Sequence, residues 1–151
     1  MIFFKLSRYG NIKTQPKEPS PTDDGILITS APEDIFNIIR SQVEVAHEKL
    51  SWSRLKDIIN TSIEVLHQIQ QDFLKTLESD FTDISPEIIA AAVNDNQRMQ
   101  ENCEDFAEKI RELLPDNDVR EAVITKLEDI SSEFVSNSAK SVHYLTRFFI
   151  I

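Results

Sequence analysis

Two Glu-x-x-His motifs, Glu44-Val45-Ala46-His47 and Glu64-Val65-Leu66-His67, are the residues with the most chemistry to offer. A carboxylate and an imidazole at this spacing, repeated on two helices of a four-helix bundle, form the ligand pattern of di-iron carboxylate proteins. The apolar pattern around them argues against that use. Counting about 100° per residue, Glu44 and Glu64 stand about 150–170° round the helix from its apolar stripe, whereas ligands of that class project inward. Glu101, Glu104 and Glu108 stand opposite the stripe of a third helical stretch in the same way. These motifs read as solvated faces.

The remaining candidates are weaker. His47, His67 and His143 fall on three different helical stretches, and no Cys or His pair has zinc-ligand spacing. Cys103 lies in an apolar stripe with no histidine beside it and reads as a small buried hydrophobe. Trp52 falls between two helices and reads as a packing plug. Asn96 is the one inward polar residue of its stripe and reads as an interhelical contact that fixes register. The two glycines, Gly10 and Gly25, both precede the helical stretches, so no phosphate loop or nucleophile elbow has its glycine there. Neither an enzymatic activity nor a cofactor or metal is expected.

The elements that carry these residues are four amphipathic helices. Their stripes advance by steps of three and four, which keeps them on one helical face. The first runs Ile35, Phe36, Ile39, Val43, Ala46 and Leu50, and the second Leu55, Ile58, Ile59, Ser62, Leu66, Ile69, Phe73 and Leu77. The third runs Ile89, Ala92, Val93, Asn96, Met99, Cys103, Phe106, Ile110 and Leu113. The fourth runs Val119, Val123, Leu127, Ile130, Phe134, Leu145 and Phe148. Ser30-Ala31-Pro32-Glu33 and Asp118-Val119-Arg120-Glu121 fit capping boxes, and Ser85-Pro86-Glu87 places an N-cap before a first-turn proline. The fold class is therefore all-α, an antiparallel bundle of four long helices over residues 30–151. Residues 1–29, with Pro16, Pro19 and Pro21, read as an irregular Pro-rich arm.

The fourth helix carries a second apolar face. Ile124, Val135, Ala139 and Val142 lie about 80–100° from its main stripe. A helix apolar over that width meets neighbours on two sides. Phe148-Phe149-Ile150-Ile151 follow with no polar tail. They fold back on the bundle, or they belong to a longer rod or a docked partner. Ile124, Val135, Val142, Phe148 and Phe149 are the candidate protein-interaction surface.

Charge narrows the partners. The chain has 151 residues and a formal net charge of −10. Residues 1–20 hold four basic residues and one acidic, and the remainder holds 12 basic and 25 acidic. An acidic body is repelled by phosphate backbones and anionic lipid surfaces, so neither nucleic-acid binding nor direct membrane insertion is expected. A single cysteine excludes an internal disulfide and fits a reducing, cytoplasmic compartment.

Three segments together resemble a known family. They are Thr29 through Ile39 with Gln42 through Ala46, Val65 through Gln71, and Ala92-Val93-Asn94-Asp95-Asn96-Gln97-Arg98. Their order and spacing resemble the exocyst complex component 3 (Sec-six) family of vesicle-tethering subunits, over residues 16–149. The resemblance implies a segment of a helical rod that works in exocytosis by protein contact. It also implies other exocyst subunits and SNARE proteins as partners, at sites of secretion on the plasma membrane. The chain resembles a mid-chain fragment of that family, without its N-terminal coiled-coil-like region or distal bundles. The alternative is a stand-alone helical adaptor with an unrelated partner.

Overall fold

A computed structural model describes residues 19–49, 51–79 and 85–146. A short hairpin, β1 (Ser20–Pro21) and β2 (Leu27–Ile28), precedes four helices. These are α1 (Ala31–Lys49), α2 (Trp52–Ser79), α3 (Pro86–Leu113) and α4 (Asn117–Thr146). At about 1.5 Å per residue the 30 residues of α4 span about 45 Å. Among the described residues no helix is long and apolar enough to cross a membrane.

The stripes read from the sequence form the interior. Phe36, Ile39, Ala46, Ile59, Leu66 and Ile110 have no exposed surface, and Leu127 and Phe134 are 1% exposed. Leu50, the side chain of Leu77, Phe148 and Phe149 lie outside the described residues, as do residues 1–18 of the arm. Helix α1 packs on α2 and α3, and α4 packs on α3 and α2, so each helix has two neighbours. The sequential pairs α1/α2 and α3/α4 are antiparallel hairpins. The hairpins then meet with like helices aligned. Glu33 reaches Arg98 and Phe36 reaches Phe106, so α1 and α3 are parallel. His67 reaches Glu133 and Gln70 reaches Asn137, so α2 and α4 are parallel too. The Phe36 and Phe106 rings meet edge to face, 6.5 Å between centroids and 77° between planes. That arrangement adds about 0.5–1.5 kcal/mol to simple burial.

Local chemistry sets the helix ends, with two corrections to the sequence reading. Ser85 caps α3 as expected, its Oγ accepting from the Ile88 N–H at 3.3 Å, with Pro86 in the first turn. Helix α4 is capped by Asp116 and not by Asp118. Asp116 Oδ1 accepts from the Val119 N–H at 3.0 Å, and its carbonyl accepts from the Arg120 N–H at 2.9 Å. At α1 the expected box is not formed. The Ser30 hydroxyl donates to Asp34 Oδ2 at 2.9 Å, and Glu33 turns outward to Arg98. A full positive charge outcompetes a backbone N–H for that carboxylate.

The reading of residues 1–29 as irregular does not hold for residues 20–28. Gly25, at φ 79°, takes the left-handed conformation that reverses the chain. Its N–H donates to the Thr22 carbonyl at 2.8 Å, and the Thr22 N–H donates to the Ile26 carbonyl at 2.9 Å. Strand β2 then packs on α3. Helix α1 has 19 residues and α3 has 28, so the hairpin covers part of α3 that α1 does not reach.

Phe36→Ala removes a fully buried ring and should lower stability by about 3–5 kcal/mol. Urea denaturation checks this; an unchanged midpoint would place Phe36 outside the core.

Candidate protein-interaction surface

Five polar side chains, those of Thr29, Glu33, Asn94, Asp95 and Arg98, tie the hairpin and α1 to α3. Asp95 accepts from Thr29 twice, from its N–H at 2.9 Å and from its hydroxyl at 2.5 Å. Arg98 donates to the Thr29 carbonyl at 3.0 Å and pairs with Glu33 at 2.5 Å. Asn94 donates to the Leu27 carbonyl at 2.7 Å. Two of the segments behind the family resemblance, Thr29 to Glu33 and Asn94 to Arg98, are thus one latch in space. Burial holds the Asp95 carboxyl above its ordinary value of 3.8, opposed by the Thr29 hydrogen bonds and the Arg98 charge.

A second polar group lies deeper. Asn137 has no exposed surface; its amide donates to the Gln70 carbonyl at 3.2 Å and its Oδ1 accepts from Gln70 Nε2 at 3.3 Å. One residue on, the Ser138 hydroxyl donates to the Val93 carbonyl of α3 at 3.0 Å. Asn96, expected to make such an interhelical bond, instead donates to Ala92 of its own helix at 2.8 Å. Positions 137, 138 and 141 continue the α4 stripe past Phe134, and position 70 continues the α2 stripe past Leu66. The polar residues at those apolar positions were the signal that sequence reasoning passed over.

The expected interaction surface divides. Ile124 is 1% exposed and packs within the core, so it is not surface. It lies where α4 is wedged between α2 and α3, and the wide apolar face is used there for internal packing. Val135 is 50% exposed and Val142 is 45% exposed, and Ala139 between them is exposed as well. They form an apolar ridge on the solvent side of α4. Trp52 is 40% exposed at the first position of α2, so it does not plug the joint between helices.

The side chains weighed for chemistry do not converge. Glu44, His47, Glu64, Glu101, Glu104 and Glu108 are exposed. His67 reaches Glu133 across the α2–α4 seam, with 3.3 Å between Nδ1 and Oε2. Among the described residues no group of three or more His, Cys, Asp or Glu side chains could hold a metal ion. Burial, with the Glu104 charge adding to it, pushes the Cys103 thiol up to about 12, so it is protonated at neutral pH.

A sequence model of the family described as exocyst complex component Sec6 matches residues 11–150. The chain belongs to that family. The fold agrees with a solved relative, the C-terminal domain of the exocyst subunit Sec6p, at a TM-score of 0.82 and 17% identity. The match covers 97% of this chain and 45% of that one, so this chain spans less than half of the solved relative. In this member of the Sec6 family the described residues form four helices, and the residues behind the resemblance serve partly as core and partly as the latch.

The latch has a pH signature. The folded state keeps the Asp95 proton to higher pH than the unfolded chain does. Its contribution to stability therefore falls as pH rises above 3.8 through the folded value. Asp95→Asn lacks that titration. The wild type should gain on the variant as pH falls through that window, measured by paired urea denaturations. A gap that does not change with pH would contradict the shift.

Proposed function

We propose that this chain acts as part of an exocyst vesicle-tethering subunit in exocytosis, holding secretory vesicles at the plasma membrane by protein contact. The observation that carries this reading is the family match over residues 11–150. The partners are other exocyst subunits and SNARE proteins, at the cytoplasmic side of sites of secretion. The chain does its work as a surface and not as an enzyme. That view is supported by the dispersal of its carboxylates and imidazoles over solvent faces and by a thiol kept buried and protonated. A body of net charge −10 favours protein contact over direct contact with anionic lipid. The contact surface proposed within the described residues is the Val135–Val142 side of α4.

An affinity-tagged copy of the whole chain, expressed in cells of its source, tests this directly. Other exocyst subunits should be recovered well above a tag-only control, and their absence would overturn the reading.

A further inference from the structure

We draw no further inference here: the strongest candidate, the exposed apolar ridge of Val135, Ala139 and Val142 on the C-terminal half of α4, carries nothing because nothing in the structure shows what covers it.

Discussion

The buried amide pair between Gln70 and Asn137 is the constraint that fixes how the two helical hairpins meet. Apolar stripes attract one another without regard to register, because sliding by one turn still buries apolar surface. An amide pair with no exposed surface at Asn137 does not tolerate that slide. A displaced register leaves a buried donor and acceptor unpaired, at about 1–3 kcal/mol for each group. Ser138 adds a bond to α3 from the next residue, so one turn of α4 is tied to both of its neighbours.

The rest of the bundle follows from α4 having two jobs along its length. Its first half is apolar over a wide arc and is wedged between α2 and α3, which is why Ile124 is buried with Val123 and Leu127. In its second half the inward positions become polar at Asn137, Ser138 and Ser141, while Val135, Ala139 and Val142 lie exposed among polar residues. The latch of Asp95 and Arg98 plays the matching part on α3, fastening the hairpin where α1 is too short to cover.

Much of this was legible from periodicity. Steps of three and four report which side of a helix is apolar, and burial of Phe36, Leu66, Phe106 and Phe134 followed directly. The Ser85-Pro86 start was legible because serine and proline have few other uses before a helix. What failed had a common cause, since sequence shows a residue's type and not its competitor. Glu33 was read as a cap and is engaged by Arg98, which lies 65 residues away. Asn96 was read as an interhelical bond and found a carbonyl on its own helix first. Ile124 and Val135 share one helical face in the sequence, and only the positions of α2 and α3 cover one and leave the other exposed. Of the candidate surface, the ridge at Val135 and Val142 was legible, while the polar layer beneath it was not. Asn137 and Ser138 merely interrupt a stripe until their partners on other helices are known.

For a chain proposed to work by contact, a fixed register matters as much as stability. A surface can hold a partner only if its residues keep their spacing under load. The account therefore depends on the amide pair being a true coupling between α2 and α4. A double-mutant cycle with Gln70→Ala, Asn137→Ala and the double variant, followed by urea denaturation, measures that coupling. The pair should show about 1–2 kcal/mol of interaction energy, as contacting buried groups do. A coupling within error of zero would mean that the side-chain bond between Gln70 and Asn137 does not help set the register, and would contradict the account.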